Sequence, residues 1–394
     1  MNSTSALPVI PAQEFRQRWE KTQAMMAQQG FDLLVAYADD RAVFGPAHAR
    51  WLANFPVHFE PASILIPRRG EAVLLCGPES DAYARLVGQI GDVRVLREFT
   101  HPDEDYPFSK IQGLAEIVGE MAGGMQSIRK VGLAGRSLMN ADSLAAFHQA
   151  LPQAEWVDAE PALYGLRAIK SSAEIAVIRY AYQVAEAGIS AAIEAVGVGV
   201  TEREIAAAAE TAMRRAGAEG TGIDTIVASG PNSRPILART THRKIQENDL
   251  ICLTVAPRYE GYHAAIGRPV LVGRPEGPAA DAAEKAVQAQ QACFQAMKPG
   301  VPGREIEAIG RQIMEAAGYG SYFLYSGLHS VGVIEFEPPI FGPSSPAELQ
   351  AHMVISIDIP VFNTPWGGLR VEDGYLITSN GAEHLNSTPF QLSK

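Results

Sequence analysis

A near-repeat restricts this chain more than any other feature. GVTEREIAAAAETAMRRAG, from Gly199 to Gly217, returns as GVPGREIEAIGRQIMEAAG from Gly300 to Gly318, and the opening Gly-Val, Arg-Glu-Ile, Met and closing Gly coincide. Each copy follows an Ala-rich stretch with helical spacing and precedes apolar, strand-like segments. Solenoid repeats are far shorter than this spacing, so the pattern reads as a duplicated half-domain of roughly a hundred residues per copy. Two such halves packed face to face leave a cleft between their sheets. That cleft is the natural place to look for chemistry.

The region ahead of the duplication has a different texture. Glu14 to Gly30 carries Phe15, Trp19, Met25 and Met26 at helical spacing, and Phe31 to Ala38 then turns into a dense apolar run, which reads as helix into buried strand. Ser63 to Pro67, Ala72 to Cys76 and Val93 to Leu96 read as further strands, with a polar helix over Phe108 to Met121. This part is α/β and ends near Asp158. A long helical pattern, LRAIKSSAEIAVIRYAYQVAEAGISAAIEAV, then opens through Ser171 and Ser172, with Glu174 in the first turn where the helix dipole favours a carboxylate. The expected division is 1–160 for the first domain and 161–394 for the second, giving a mixed α/β (α+β) protein.

Bulk properties narrow the classes of function. The chain has 33 basic and 44 acidic residues, a formal charge of -11, which disfavours nonspecific attraction to nucleic acid or anionic lipid. With 47% hydrophobic and 20% charged residues it falls in the ordinary range for a folded soluble protein. The opening MNSTSALPVIPAQEF has no basic n-region followed by an apolar stretch, and no apolar run is long enough to span a bilayer, so a cytoplasmic location is expected. Cys76, Cys252 and Cys293 are widely separated and odd in number, the pattern of small core residues rather than a disulfide framework or a thiolate metal site.

Four later segments carry candidate chemistry: DLICLTVAPRYEGYHAAIGRPVLVG, read as a hairpin turning at Arg258 to Gly261, then SGLHSVGVIEFEPP, MVISIDIPVF and GGLRVEDGYLIT. In these the chain resembles the pita-bread fold proteins, namely methionine aminopeptidase, prolidase, creatinase and their relatives. The resemblance runs from about residue 160 to the end, and the first part is similar to the extra N-terminal domain of the prolidase and creatinase branch.

In metal-dependent relatives two aspartates, a histidine and two glutamates hold a pair of divalent ions that activate water. Carried onto this chain, the aspartates fall on Thr254 and Ala265, which cannot serve as carboxylate ligands. The histidine falls on His329, the glutamates on Asp358 and Glu372, and a further peptidase histidine on Phe336. The resemblance therefore implies a metal-depleted branch, with no metal ligands assigned and no cofactor expected. Creatinase, which also lacks metals and shares the His-Ser-x-Gly form at His329, Ser330 and Gly332, is the nearer pattern, and its catalytic imidazole falls nearest Leu237, with His242 five residues later.

The expectation is thus a metal-independent hydrolase of a C–N bond (amide, amidine, urea or ring) in a small nitrogenous substrate. His329 would act with Asp358, Glu372 and Glu337, and with His263, which alternation places on the same side as Ala265. His242, Arg370, Tyr325, Phe336 and Trp366 would bind substrate. The resemblance further implies a homodimer in which the segment Ala49 to Pro67, with Phe55 and His58, completes the partner's active site. The alternatives are a metal-dependent Xaa-Pro aminopeptidase or dipeptidase, a lyase, or a noncatalytic binding protein.

Overall fold

The computed structural model describes residues 7–121, 127–273, 276–390 and 393–394. The chain forms two compact units, one of residues 10–167 and one of residues 168–394 joined by 7–9.

The first unit is built on a seven-stranded mixed sheet ordered Ile111–Gln112, Asp92–Leu96, Val73–Cys76, Ala62–Pro67, Leu33–Ala38, Lys130–Ala134 and Glu155–Asp158. The central strands Leu33–Ala38 and Ala62–Pro67 are buried at every position, which is why they read as continuous apolar runs rather than alternating ones. The helix Ala12–Gln29 turns Phe15, Arg18, Thr22, Met25 and Met26 inward, and Gly30, at φ 75°, closes it by donating to the Met26 carbonyl. The polar helix expected over 108–121 is shorter, Leu114–Glu120, because Gly113 caps it and the residues before it form the edge strand Ile111–Gln112.

The duplication is visible in the second unit. Helices Ser172–Ala195 and Glu202–Arg215 form one pair, Pro278–Ala296 and Gly303–Ala316 the other. The first pair begins in capping boxes, Ser171 with Glu174 and Thr201 with Glu204. Each pair is followed by a strand pair, Leu250–Val255 with Ile266–Leu271 and Val354–Thr364 with Gly367–Ile377, all antiparallel. These strands join one eight-stranded sheet, whose main path runs Glu337–Ile340, Leu328–Ser330, Val354–Thr364, Gly367–Ile377, Ile266–Leu271, Leu250–Val255 and Ile226–Ser229; the halves therefore share a sheet through the pairing of Gly267 with Glu372, and do not face each other as separate sheets across a cleft as expected.

Alternation along the two longest strands decides where the site lies. Ile355, Ile357, Ile359 and Val361, with Leu369 and Val371, join a hydrophobic core that includes Ala283, Ala286, Ala289 and Cys293 of the third helix. The interleaved positions Ser356, Asp358, Arg370 and Glu372 consequently project from the opposite face.

The expected hairpin departs from a simple turn. Between Val255 and Ile266 the chain leaves the large sheet, and Pro257–Tyr259 pairs with Tyr262–His263 and with Gly220–Thr221 in a separate three-stranded sheet. Among the described residues no helix is long and apolar enough to cross a membrane.

Candidate active site

One row of cross-strand partners builds the site. Thr254 lies opposite Gly267, Gly267 opposite Glu372, and Glu372 opposite Asp358. The Asp358 amide donates to the Gly327 carbonyl at 2.8 Å, which fixes the neighbouring strand. On that strand His329 lies opposite Ser356. Gly267 has to be small, since a Cβ there would stand 2.9 Å from both the Arg370 Cγ and the Glu372 Cβ.

The side chains form a buried, acid-rich cluster. Ser356 Oγ donates to Glu372 Oε1 at 3.0 Å, and the Tyr325 hydroxyl donates to Asp358 Oδ2. The Arg370 guanidinium stands 3.9 Å from Asp358 Oδ2 and 3.9 Å from Glu372 Oε2. Among the described residues, Asp358 Oδ1 and Glu372 Oε2 are buried and accept no hydrogen bond. His329, Glu335 and Glu372 each offer one ligand atom, and these atoms lie within 4.8 Å of one another.

Burial dominates the electrostatics. It raises the carboxyl groups of Asp358, Glu335 and Glu372 above the usual range, with Arg370 opposing the shift and neighbouring carboxylates reinforcing it for each. Burial lowers the His329 imidazole to about 4, so it is neutral near pH 7. Its Nδ1 lies 3.0 Å from the Ser330 carbonyl, which only accepts, so Nδ1 carries the proton and Nε2 keeps its lone pair. A neutral imidazole with a free lone pair, beside two carboxylates, is able to bind a cation or accept a proton.

The structure therefore brings together His329, Asp358, Arg370, Glu372 and Tyr325, as well as Phe336, whose half-exposed ring centre is 4.4 Å from that of His329. Other expected residues lie elsewhere. Glu337 is fully buried and paired with Lys170 at 3.7 Å, while Lys170 also donates to Ser330 Oγ at 2.9 Å. The acid that meets His329 and Glu372 is Glu335. Pairing shifts register between His329 and Ser330, so that His329 faces Ile340 while Ser330 faces Glu337, an irregularity invisible to alternation.

His263 does not share the face of Ala265, because it belongs to the small sheet and the strand is broken between them; its Nδ1 lies 3.3 Å from the Gly332 carbonyl, and burial lowers it to about 3. His242 is exposed, in a segment whose neighbours Thr241 and Arg243 bind Glu202 and Asp249. Trp366 packs against the helix-side core instead of the cluster. In the first unit Phe55 is buried, its ring 6.4 Å from that of Tyr83, and unable to reach outward, whereas His58 is exposed beside Asp40. Sequence reasoning passed over Lys170 and Ser356 altogether. Ser356 was within reach, since period-two spacing in SIDIP puts it on the face of Asp358.

Comparison with known proteins fits this architecture. The model of the creatinase/prolidase N-terminal domain matches residues 18–169, and that of metallopeptidase family M24 matches residues 176–379. An Xaa-Pro dipeptidase of Pyrococcus furiosus is 36% identical over 58% of this chain and 65% of its own length, so that match spans somewhat less than two thirds of the relative. An Xaa-Pro dipeptidase of Pyrococcus horikoshii is 29% identical over 84% of this chain and 94% of its own. The crystal structure of the prolidase from Pyrococcus horikoshii superposes with a TM-score of 0.82 at 26% identity, covering 95% of this chain and 99% of that one.

These relatives overturn the expectation of a metal-independent, creatinase-like C–N hydrolase, since the matching family is one of metallopeptidases and the named relatives are dipeptidases. A separate metal-depleted branch finds no support in them either. Two aspartates are lost, but the histidine, the carboxylates and the arginine are retained. The family model covers just over half of the chain, and the fold agrees along nearly all of it: the protein belongs to metallopeptidase family M24, with the N-terminal domain of its creatinase/prolidase members.

Proposed function

We propose that the chain is a peptidase of the Xaa-Pro dipeptidase kind, cleaving the bond ahead of proline in short peptides. The observation that carries this reading is the joining of His329, Asp358, Arg370 and Glu372 on one face of the sheet, within a chain whose named relatives act on Xaa-Pro dipeptides.

The donor chemistry suits a divalent cation. His329, Glu335 and Glu372 supply an imidazole and two carboxylates, the ligand types that borderline ions take, and among the described residues Glu372 Oε2 is buried and accepts no hydrogen bond. Bound there, such an ion would polarise a carbonyl oxygen or lower the pKa of water.

The chain's own groups supply the rest. Asp358, held at Oδ2 by the Tyr325 hydroxyl, keeps Oδ1 available to carry a proton to the departing nitrogen. Arg370 keeps its positive charge at every working pH and balances one of the carboxylates. Phe336 puts an apolar ring against His329, which suits a proline ring or an alkyl side chain. Three buried free thiols support a reducing, cytoplasmic setting. Of the two residues named for a dimer-completed site, His58 is exposed and Phe55 is buried, so that reading rests on His58 alone.

The test is turnover of an Xaa-Pro dipeptide panel, with matched Xaa-Ala dipeptides and Xaa-Pro-Yaa tripeptides, in the presence of Mn2+, Co2+ or Zn2+. Preferential release from Xaa-Pro substrates, abolished by Asp358→Asn, is expected. Failure to cleave any of them with any of these ions removes the peptidase reading.

A further inference from the structure

A binuclear centre needs carboxylates from both halves of the shared sheet, and the half built on Leu250–Val255 and Ile266–Leu271 offers none at the two expected positions. The aspartate positions hold Thr254, fully buried, and Ala265, also fully buried. A threonine hydroxyl is a weak neutral ligand and a methyl group is no ligand at all. The strands Val354–Thr364 and Gly367–Ile377 keep their acids but distribute them unevenly. Asp358 is engaged at Oδ2 by the Tyr325 hydroxyl and stands 3.9 Å from the Arg370 guanidinium. Among the described residues, the group of metal-ligating atoms close enough to share an ion is His329, Glu335 and Glu372, and Asp358 is not in it.

Glu335 is the unexpected member. It lies on neither of the two long strands; the register shift between His329 and Ser330 accompanies a segment that presents Glu335 to His329 and Glu372, while Glu337 goes to Lys170. Glu335, Glu372 and His329 are all at least nine-tenths buried, and among the described residues Glu372 Oε2 is buried with no hydrogen bond. Counting charges leads to the same place. Asp358, Glu335 and Glu372 carry three negative charges when ionised, His329 is neutral, and Arg370 offsets one. In that state one divalent ion would balance the two charges that remain, whereas without a cation burial favours the protonated carboxyls.

We propose that this chain holds a single divalent cation on His329, Glu335 and Glu372, with Glu335 serving as a ligand in compensation for the two lost aspartates, and with Asp358 outside the ligand set. The proposal rests on reading this cluster as the functional site, but it does not depend on which bond the site cleaves.

The experiment therefore reads binding, not turnover. The full-length protein is freed of metal with a chelator, titrated with Mn2+ under equilibrium dialysis, and examined by electron paramagnetic resonance. One equivalent of Mn2+ is expected, with the hyperfine pattern of an isolated ion. Glu335→Gln should weaken Mn2+ binding by roughly ten-fold or more, as His329→Ala does, since loss of even an indirect partner costs metal sites 10–100-fold. Asp358→Asn should leave the affinity within experimental error. Each variant is first checked for native circular dichroism, and Glu335→Asp, which keeps the charge, is the alternative if Glu335→Gln misfolds; it should bind more weakly than the parent and still bind one ion. Two equivalents with the spectrum of a coupled pair would overturn the proposal, and so would no binding. Equal losses in Asp358→Asn and Glu335→Gln would overturn the ligand assignment. A protein that binds one ion yet cleaves no Xaa-Pro dipeptide would refute the function proposed above and leave this inference standing.

Discussion

Two glutamates separated by one residue have opposite fates in this protein. Glu337 is fully buried against Lys170, itself 2% exposed, at 3.7 Å, and the pair lies directly behind the strand that carries His329. Removing one partner of a buried pair leaves the other charge without compensation. Glu337→Gln is therefore expected to destabilise the protein by about 3–5 kcal/mol, read as a fall in the urea midpoint. Glu335→Gln should change stability little when measured in chelator near pH 7, because burial raises the Glu335 carboxyl to about 8 and the amide then replaces a largely uncharged group. If the two variants lose stability equally, the distinction between a paired and an unbalanced acid is wrong. Nothing in IEFEPP itself separates these positions. Both sit on the same side by alternation.

Elements are legible where their signals are local. The helix starts at Ser171 and Thr201 could be read because a capping residue and a glutamate three positions on satisfy each other's backbone. Ser171→Ala should accordingly cost about 0.5–2 kcal/mol in thermal or urea unfolding. Strand edges are harder, because partners distant in sequence decide them. Counting in twos from Ala265 puts His263 on the same face, but the count holds only within one strand, and here the chain changes sheets between His263 and Ile266. Gly327 shows how tight such joins become: a Cβ there would lie 1.8 Å from the Asp358 carbonyl oxygen. Gly327→Ala must push strand Leu328–Ser330 away from strand Val354–Thr364. Overpacking of this kind costs about 1–3 kcal/mol, and cation affinity should fall further than that stability loss explains, because His329 moves with its strand. Titration of the folded variant with Mn2+ checks this, and unchanged affinity would mean the strand does not position the ligand.

At the scale of the whole molecule, the fold was readable and the chemistry was readable only in part. The duplication lies in local signals of glycines and helical spacing, so two helical stretches each followed by strands were legible from it; the number of metal ions depends on which residues a register shift turns inward. Net charge poses a further whole-molecule question, how a chain with 44 acidic and 33 basic residues responds to acid. Glu160 gives one answer for the unit spanning 10–167. Arg167 donates to His48 Nδ1 at 3.2 Å, so His48 carries its proton on Nε2, which stands 3.5 Å from Glu160 Oε1. That hydrogen bond, aided by the Tyr164 hydroxyl, holds the Glu160 carboxyl down to about 2 from an ordinary 4.5, against the opposing effect of burial. A carboxyl whose folded pKa is depressed adds stability that is complete above its unfolded value and disappears as pH falls through its folded one. Glu160→Gln should therefore be less stable than the parent at pH 7, with the gap closing between about pH 4.5 and 2. Trp19, Trp51 and Trp156 lie in this unit and Trp366 in the other. In a Trp366→Phe background tryptophan emission thus reports on 10–167 alone. A stability gap that stays constant down to pH 2 in that background would show that the His48 and Glu160 pair is not what depresses the carboxyl.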